Sequence, residues 1–486
     1  MPHATDDLTP PLVWKYFSEI SAIPRGSKNE AAIAKYVMQA ARRLRLSAKQ
    51  DKAGSVLVKK PASRGHERAP SVCLQGHLDM VCEKTPGTKH DFLKDPLALR
   101  RVDGFLMATG TTLGADNGIA VATNLAIMED ASLTHGPLEF LFTVDEETGL
   151  TGASHLEPGF IESRILLNLD SEEEGELCVG CAGGRDTRGF WAATFDAAPE
   201  GTAPWSIVVS GLRGGHSGVE IDKNRGNAIK ILNRLLTAAA EFGARVSTMH
   251  GGSKRNAIPR DAEAIVCVPA SKTGETRVAI ERLAAAITAE MASVEPNFAV
   301  SLAQVKGARR PKVLSRGLQK RILQTIAALP HGVMKMSSDI PGLVETSTNV
   351  AVLTTDRKGV SLATSQRSSV ASEIEDMART VRAAFELGGA RVQTSDGYPG
   401  WTPNLASPIL KIAQDTYRQM FGKAPAVKAV HAGLECGIIG EKCPGIDMVS
   451  FGPTMTGVHS PDEKLEIASV PKFYEFLLGI LRNVAA

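Results

Sequence analysis

Short apolar strands that alternate with amphipathic helices are the feature that most restricts the fold of this sequence. Apolar segments such as LEFLFTV (138–144) and RILLNL (164–169) are separated by helical patterns such as AAIAKYVMQAARRLRL (31–46). Ser27 and Glu30, just ahead of that helical pattern, match a capping box. The alternation is typical of a layered α/β domain, so we expect a mostly parallel sheet flanked by helices.

The order of elements changes after the glycine pair at 183–184. Between 188 and 395, helices separate groups of strands, and the order helix, two strands, helix, strand occurs twice. This order predicts an α+β domain with antiparallel pairing, and it leaves open whether that domain is duplicated. The turn-rich segment DGYPGW (396–401) returns the chain to the first domain. We expect the first domain in two segments, 1–187 and 396–486, with the α+β domain at 188–395 inserted between them.

Length, charge and cysteine content exclude several classes of protein. A chain of 486 residues predicts two domains rather than one core. Its net charge of +2 at pH 7 lacks the basic excess of a nucleic-acid-binding protein. No segment approaches the roughly 18 apolar residues of a membrane helix, and the polar, acidic start is unlike a secretory signal. Seven cysteines, an odd number, indicate free thiols in a reducing compartment. We therefore expect a cytoplasmic protein with no nucleic-acid or membrane partner.

Acidic residues and histidines follow the predicted strands of the first domain. Two adjacent glutamates, Glu146 and Glu147, come just after LEFLFTV, with Asp145 in front of them. Further residues of this kind, each just past a strand or in the loop beyond it, are His77, Asp79, Asp116, Asp170 and His459. Open α/β sheets place their ligand crevice at the carboxyl ends of the strands. The sequence therefore predicts that these side chains meet at one edge of the sheet.

Imidazole and carboxylate groups in one place indicate a divalent metal site. Such ligands suit zinc, with cobalt or manganese as alternatives. Two histidines, two aspartates and one glutamate are too many for one tetrahedral ion, but they suit a pair of ions bridged by a carboxylate. Each motif alone is a weak signal, because a tripeptide such as His-Leu-Asp occurs by chance in many proteins. The whole set predicts a two-metal centre of the kind found in hydrolases.

Five motifs extend this interpretation, in the order GHLDMV, GADNG, DEETGLTGA, NLDSEE and GVHSPDE. In this order they resemble the di-zinc metallopeptidase family of aminoacylases, glutamate carboxypeptidases and cytosolic dipeptidases. The chain length and the segments RGGHSGVEI, RNAIPR and HAGLECG resemble its bacterial aminoacyl-histidine dipeptidase branch, the carnosine-splitting Xaa-His dipeptidases. The resemblance covers essentially the whole chain. It implies that the first domain is a zinc-peptidase catalytic domain and that the inserted α+β domain is a lid.

The resemblance also implies which residues hold the metal. Asp116 would bridge the two ions. His77 and Asp170 would complete the ligands of one ion, and Glu147 and His459 those of the other. The expected cofactors are therefore two divalent ions, Zn²⁺ first, with Co²⁺ or Mn²⁺ as alternatives.

The remaining catalytic roles come from the same resemblance. Glu146 would be the general base for the water between the ions, and it would later protonate the leaving amine. Asp79 would hold His77 in the tautomer that binds metal. In the family, the peptide bond after the bridging aspartate is cis, and here that bond joins Asp116 to Asn117.

The lid is expected to supply a residue that contacts the substrate. His216, in GLRGGHSGVEI, matches a family histidine that reaches the scissile carbonyl and stabilises the developing oxyanion. In many relatives this histidine comes from the partner subunit, which implies a homodimer formed through the lid domain. A duplicated lid would instead present the histidine within one chain, so the catalytic need for a dimer stays open.

Four residues are candidates for binding the ends of a peptide. Arg255, Asn256 and Arg260 lie in KRNAIPR, and arginine side chains suit the carboxylate of a substrate C-terminus. Glu435, in HAGLECG, is a candidate partner for a free α-ammonium group. Such a contact would distinguish a dipeptidase from an enzyme that acts on acylated amino acids.

The expected function is metal-dependent hydrolysis of dipeptides, preferentially Xaa-His, including β-Ala-His. A tripeptide aminopeptidase or an N-acyl amino acid deacylase of the same family would use the same ligands, because the ions contact only the amide. A non-catalytic metal-binding protein is a remote alternative, since it predicts a broken ligand set or a missing base. Both the ligand set and Glu146 are intact in this chain.

Overall fold

The chain folds into two units, each built around its own sheet. This computed structural model describes residues 4–305 and 311–486. The first unit runs to Cys181 and continues over Trp401–Ala429 and Leu434–Ala486, and the second comprises Ala182–Gly400 and Val430–Gly433. The second unit thus interrupts the first, with borders close to those expected at 188 and 395. Its short return at Val430–Gly433 has no counterpart in the sequence-based division.

Helices and short strands alternate in the first segment of the first unit. Its helices are α1 (Pro11–Ser21), α2 (Ala31–Arg43), α3 (Ala115–Glu129), α4 (Glu146–Gly149) and α5 (Thr151–Ser154). Its strands are β1 (Ser47–Gln50), β2 (Val56–Lys60), β3 (Val72–His77), β4 (Leu99–Val102), β5 (Phe105–Ala108), β6 (Leu138–Thr143), β7 (Ile165–Asn168) and β8 (Glu176–Cys181).

Strands predominate in the second unit. They are β9 (Gly183–Ala192), β10 (Phe195–Ala197), β11 (Thr202–Ser210), β12 (Gly215–His216), β13 (Arg245–Gly251), β14 (Ala257–Ile258), β15 (Ala262–Pro269), β16 (Ala299–Gln304), β17 (Lys312–Leu314), β18 (Gly332–Met336), β19 (Val344–Thr355), β20 (Gly359–Ser368) and β21 (Arg391–Thr394). The helices are α6 (Ala228–Glu241), α7 (Thr273–Met291), α8 (Arg316–Ala328) and α9 (Ala371–Leu387).

The last part of the chain returns to alternating helices and strands. Its helices are α10 (Pro408–Phe421), α11 (Glu435–Lys442) and α12 (Ser469–Ala485). Its strands are β22 (Ala426–Val430), β23 (Asp447–Ser450), β24 (Met455–Thr456) and β25 (Lys464–Glu466).

The sheet of the first unit has a parallel centre. Its strand order is β1-β2-β6-β3-β7-β23-β8-β22, and the neighbours from β6 to β23 pair in parallel. The pairs β1-β2, β2-β6 and β23-β8 are antiparallel, so the mostly parallel pairing that was predicted applies to the central strands. Every residue of β3 and β6 is buried, as is nearly all of α3. The sheet is therefore covered on both faces at these central strands.

The sheet of the second unit is antiparallel, and its two halves share one topology. Its order is β16-β11-β15-β13-β19-β20-β9-β21. The elements β11, α6, β13, β15, α7 and β16 form one half, and β9, α8, β19, β20, α9 and β21 form the other. In each half the strands pair in the order fourth, first, third, second, and the halves meet where β13 pairs with β19. This internal duplication of topology is the arrangement that the repeated order of elements left open.

Two further observations concern the cysteines and the helices. All seven cysteines are free thiols. Within residues 4–305 and 311–486, no helix combines the length and the apolar character that a bilayer span requires.

Candidate metal centre

Neighbouring parallel strands bring the predicted residues to one edge of the sheet. The strands β6, β3, β7 and β23 lie side by side, so their carboxyl ends are adjacent. His77 is the last residue of β3, and Glu146 and Glu147 open α4 just after β6. Asp170 follows β7, and His459 lies beyond β23, in the loop between β24 and β25. The ligand crevice predicted for an open α/β sheet is therefore where these residues gather.

Asp116 reaches the same edge from the start of α3. Its backbone is not helical (φ −78°, ψ 108°), and its bond to Asn117 is cis, as the family resemblance implied. The Asn117 side chain accepts a hydrogen bond from the His77 N–H at 3.2 Å and donates one to Leu169 O at 2.9 Å. Gly76 leaves room for this amide, since a Cβ there would lie 2.4 Å from Asn117 Oδ1. These contacts fix the start of α3 against the ends of β3 and β7.

Asp116 lies between two groups of ligand atoms. Its Oδ1 is 3.1 Å from Nε2 of His77, and that Nε2 lies 3.4 Å from Oδ1 of Asp170. Its Oδ2 is 3.0 Å from Nε2 of His459, and that Nε2 lies 2.9 Å from Oε2 of Glu147. Each oxygen of this aspartate thus faces a different histidine, an arrangement that would suit a carboxylate between two ions.

Asp79 positions both a histidine and the glutamate pair. Its Oδ1 lies 3.4 Å from Nδ1 of His77, so the neutral ring keeps its proton on Nδ1 and turns the Nε2 lone pair toward the other acids. The same carboxylate accepts hydrogen bonds from the backbone N–H groups of Glu146 at 3.0 Å and Glu147 at 3.2 Å. The Ser27 hydroxyl donates to it at 2.8 Å. One fully buried aspartate therefore connects the ends of β3 and β6.

The capping box predicted at Ser27 and Glu30 is wrong. Helix α2 begins one residue after Glu30 and has no side-chain cap. The carboxylate of Glu30 instead accepts hydrogen bonds from the backbone N–H groups of Lys28 at 2.8 Å and Asp145 at 2.9 Å. Both residues support the segments around the site rather than the helix, because Ser27 donates to Asp79 and Glu30 accepts from Asp145, each far away along the chain.

The surrounding carboxylates reverse the effect of burial on the two histidines. Burial lowers the pKa of His77, but three aspartates outweigh it and raise that pKa well above its ordinary value. Hydrogen bonds to Asp116 and Glu147 raise the pKa of His459 to about 11. A site that retains protons on imidazoles in this way favours positive charge among its side chains.

Burial has the opposite consequence for the acids. It raises the pKa of Glu146 well above the ordinary value, and it also raises the pKa values of Glu147 and Asp170. At Asp79 burial acts in the same direction, but the attraction of His77 and the hydrogen bonds from His77, Glu146 and Ser27 together outweigh it and hold the pKa at about 2. Several carboxylates held together away from water require a compensating cation.

The donor set fits two divalent metal ions. His77, Asp116 and Asp170 form one group whose ligand atoms all lie within 4.8 Å of one another, and Asp116, Glu147 and His459 form a second. Oε1 of Glu147 is buried and has no hydrogen-bond partner, so a cation would satisfy an oxygen that the protein leaves unpaired. Glu146 belongs to a third group with His77 and Glu147, which places its carboxylate beside the shared centre.

Glu435 is a fully buried carboxylate near the same strand ends. Its Oε2 accepts hydrogen bonds from Gln75 Nε2 at 2.6 Å and from Thr143 Oγ1 at 2.5 Å, on β3 and β6. Its Oε1 is buried without a partner. Burial raises its pKa to about 7. An unpaired carboxylate oxygen in this place can accept a hydrogen bond from a ligand, as predicted for a substrate ammonium group.

His216 lies on β12, which pairs with β14 in the second unit. Its Nδ1 accepts hydrogen bonds from the backbone N–H groups of Gly218 and Val219, both at 3.3 Å. In the neutral ring these bonds assign the proton to Nε2. His216 therefore presents an N–H donor, which is what stabilisation of an oxyanion requires.

The lid residues predicted to bind a carboxylate lie exposed on the second unit. Arg255 pairs with Asp186 at 2.6 Å and has 71% of its side chain exposed. Arg260 pairs with Asp261 at 3.2 Å and has 72% exposed. Asn256 is exposed as well. Each of these arginines thus already has a carboxylate partner.

Arg367, near the end of β20, is a buried arginine that the sequence analysis missed. Its Nη1 donates to Tyr398 Oη at 3.0 Å, while its Nε is buried without a partner. In the same unit, Ser217 Oγ and Asn349 Oδ1 are also buried and unpartnered. Buried polar atoms are normally hydrogen-bonded, so this set can take a polar ligand. No local motif marks Arg367, because a single arginine in a strand has no distinctive spacing.

Known proteins share the family features and the fold of this chain. Residues 73–483 match the model of Peptidase family M20/M25/M40. The chain is 39% identical over 481 residues to the cytosol non-specific dipeptidase of Escherichia coli strain K12, with 99% of each chain covered. An aminoacylhistidine dipeptidase from Vibrio alginolyticus has a TM-score of 0.89 at 40% identity, over 98% of this chain and 97% of that one. A tripeptidase from Staphylococcus aureus, at 18% identity and a TM-score of 0.58 over 98% and 99% of the two chains, shares the fold.

Proposed function

We propose that this chain, which belongs to peptidase family M20/M25/M40 and is a metal-dependent peptide-bond hydrolase, is a dipeptidase with a two-metal centre. The observation that carries the proposal is Asp116, whose two oxygens face two separate groups of histidine and carboxylate ligands. His77 and Asp170 would complete one site, and Glu147 and His459 the other. The ions are most simply zinc, with cobalt or manganese as alternatives.

Glu146 carries the proton in this reaction. Two ions held by His77, Asp116, Asp170, Glu147 and His459 would supply Lewis acidity that polarises the scissile carbonyl and lowers the pKa of the attacking water. Glu146 takes one proton from that water while the water oxygen forms a bond to the carbonyl carbon. The same carboxyl group then delivers the proton to the amide nitrogen as the C–N bond breaks, so that the amine leaves neutral. The hydrogen bonds from the backbone of the glutamate pair to Asp79 support this role, because they fix where both side chains begin.

His216 acts as a hydrogen-bond donor to the carbonyl oxygen. The proton on its Nε2 supports this role, since a neutral donor that is already oriented stabilises negative charge as it develops. The oligomeric state determines whether His216 acts on substrate bound to its own chain or to a partner subunit. We propose a homodimer formed through the second unit. The duplicated topology of that unit supports the alternative, in which one chain provides both the metal ligands and this histidine.

The two ends of a dipeptide have separate partners in this proposal. Glu435 accepts the substrate α-ammonium through its unpaired Oε1. Arg367 binds the C-terminal carboxylate through its buried guanidinium, a role better suited to it than to Arg255 or Arg260, which are exposed and already paired. Asn256 remains a candidate contact beside them.

We infer a preference for Xaa-His dipeptides, including β-Ala-His, and a cytoplasmic location. An aminoacylhistidine dipeptidase with the same fold at 40% identity supports the histidine preference, whereas the name of the Escherichia coli relative denotes broad specificity. The Escherichia coli relative is a cytosol dipeptidase, which supports the cytoplasmic location. A tripeptide aminopeptidase or a deacylase would use the same metal ligands, so the substrates must be compared directly.

Amide hydrolysis by the chelator-treated protein, before and after Zn²⁺, Co²⁺ or Mn²⁺ is restored, tests the proposal. The substrates are β-Ala-His, Ala-His, Ala-Ala, Ala-Ala-Ala and N-acetyl-His. Glu146→Gln removes the base, and Glu173→Gln removes an exposed carboxylate of the same charge as the matched control. We expect metal-dependent cleavage of both histidine dipeptides, faster than that of Ala-Ala, in the wild type and in Glu173→Gln only.

The other outcomes would correct different parts of the proposal. Equal rates on Ala-Ala and Ala-His would remove the histidine preference and keep the dipeptidase. Cleavage confined to the tripeptide or to the acetylated substrate would replace the dipeptidase with another enzyme of the family. Metal binding without cleavage of any substrate would contradict the enzymatic function.

A further inference from the structure

Glu463 is a buried carboxylate that binds the backbone around the bridging aspartate. It accepts hydrogen bonds from the N–H groups of Leu113 at 2.7 Å, Gly114 at 2.8 Å, Ala115 at 2.7 Å and Asp116 at 3.3 Å. Only 2% of the residue is exposed. Four backbone donors on one carboxylate offset part of the cost of its burial, and they fix the peptide units that lead into Asp116.

The same glutamate belongs to the loop that carries a second proposed ligand. It stands four residues after His459, between β24 and β25. Within this loop the Glu463 N–H donates to Ser460 O at 3.1 Å, and the Ser460 hydroxyl donates to Gly457 O at 2.7 Å. The backbone of His459 is held in the left-handed region, with φ at 62°. The loop is therefore internally tied, and a shift of Glu463 would also move the histidine.

Arg25 connects this assembly to the third ligand segment. Its guanidinium is fully buried and donates to Leu78 O at 3.1 Å and to Asp79 O at 3.0 Å, in the turn that follows His77. It also donates to Gly114 O, next to the peptide units held by Glu463. These bonds join the loop after β3 to the start of α3.

Two glycines provide the space that this arginine needs. A Cβ on Gly114 would lie 2.6 Å from Arg25 Nη2, and a Cβ on Gly118 would lie 2.5 Å from the same atom. The positive φ of 64° at Gly114 also favours glycine there. The start of α3 is thus shaped around the guanidinium.

We propose that Glu463 and Arg25 are positioning residues, a buried brace that holds the segments of His77, Asp116 and His459 at the spacing two metal ions need. This inference rests on the proposed two-metal centre. Neither residue needs to touch an ion or the substrate, because each acts through the backbone of the ligands. Residues that orient ligands in this way typically change metal affinity about 10- to 100-fold when they are substituted.

Cobalt titration of the chelator-treated full chain, followed by its visible absorption, tests the brace. Glu463→Gln keeps the shape and replaces an acceptor oxygen by an NH₂ group that faces N–H donors, whereas Glu463→Asp keeps the charge. Asp462→Asn, at an exposed acid in the same loop, is the matched control for Glu463→Gln. Arg64→Lys, at an exposed arginine, is the matched control for Arg25→Lys. Ile127→Val, in the core at the far end of α3, lowers stability without contacting the brace.

We expect Glu463→Gln and Arg25→Lys to weaken Co²⁺ binding about 10- to 100-fold and to alter the absorption spectrum. Glu463→Asp should lose less, and Asp462→Asn, Arg64→Lys and Ile127→Val should stay within about twofold of the wild type. The brace is overturned if Glu463→Gln binds Co²⁺ like the wild type. It is also overturned if Ile127→Val unfolds at the same temperature as Glu463→Gln and loses as much Co²⁺ affinity. If Glu463→Gln fails to fold, the brace is overturned when both Glu463→Asp and Arg25→Lys bind Co²⁺ with wild-type affinity. A wild type that binds no Co²⁺ would instead contradict the two-metal centre itself.

Discussion

Two pairs of histidines show how differently the units of this protein treat the same side chain. In the first unit His77 and His459 stand among carboxylates, and both pKa values are raised. In the second unit, burial lowers the pKa of His331 to about 4 and that of His431 to about 3. Burial without nearby carboxylates, helped by Lys230 and Arg367, therefore keeps an imidazole neutral, whereas clustered acids favour bound cations. Only the first arrangement has the electrostatics of a metal site.

Glu146→Gln should produce the largest loss that leaves the metal centre intact. The amide cannot take a proton from water, so we expect kcat to fall by about 10²- to 10⁴-fold. Metal content, measured by elemental analysis, should stay at the wild-type value. Retained activity in this variant would mean that another group is the base.

His216→Ala tests what the second unit adds to the first. Loss of one oxyanion donor should lower kcat by about 10²- to 10³-fold while the bound metal is unchanged. His155→Ala, an exposed histidine of the first unit, is the control. Mixing inactive Glu146→Gln with inactive His216→Ala then separates the assemblies, because activity returns only if subunits exchange this histidine. A His216→Ala variant with wild-type kcat would remove the histidine from the mechanism.

Arg367→Lys should act on substrate binding rather than on the chemical step. A charged hydrogen bond to the substrate carboxylate contributes about 1.5–3 kcal/mol, so KM should rise by about 10- to 100-fold. Arg260→Lys, at an exposed and paired arginine, should change KM by less than about twofold. The reverse result would return the carboxylate site to the residues first predicted from the sequence.

His331 should affect stability with little effect on activity. Its Nδ1 lies 3.4 Å from both Asn227 Nδ2 and the Val350 N–H, which favours the neutral ring. Because its folded pKa of about 4 lies below the ordinary 6.5, the unfolded chain binds the extra proton. The contribution of His331 to the free energy of unfolding is complete above pH 6.5, and it falls as the pH drops toward 4. We expect His331→Gln to lose about 1–3 kcal/mol of this acid dependence in thermal unfolding. Parallel pH profiles for wild type and His331→Gln would contradict this.

The sequence predicted the parts of the molecule that depend on local pattern. Apolar segments predict the buried strands of the layered sheet. A side chain just after one of these strands must lie near the carboxyl edge of the sheet. His77, Asp116 and Asp170 therefore lie where motif and strand end placed them. The cis bond after Asp116 was available only through the family resemblance, because no composition or periodicity encodes it.

What the sequence did not predict depends on pairings across long stretches of chain. Glu463 binds the N–H of Leu113, 350 residues away, and Arg25 donates to Gly114, 89 residues away. The Ser27 and Glu30 pattern failed for the same reason, since distant partners outweighed a local helix cap. The motif GVHSPDE contained a clue to Glu463, because this glutamate follows the proposed ligand His459 by four residues. The structure shows that it is buried.

Hydrolysis of Ala-His by the chelator-treated chain, during stepwise addition of Zn²⁺, tests the two-metal centre most directly. Activity should rise and level off at two ions per chain, and Asp116→Asn, which loses the bridging charge, should show neither tight uptake nor activity. Full activity with one ion or none, or wild-type uptake by Asp116→Asn, would contradict the proposed centre.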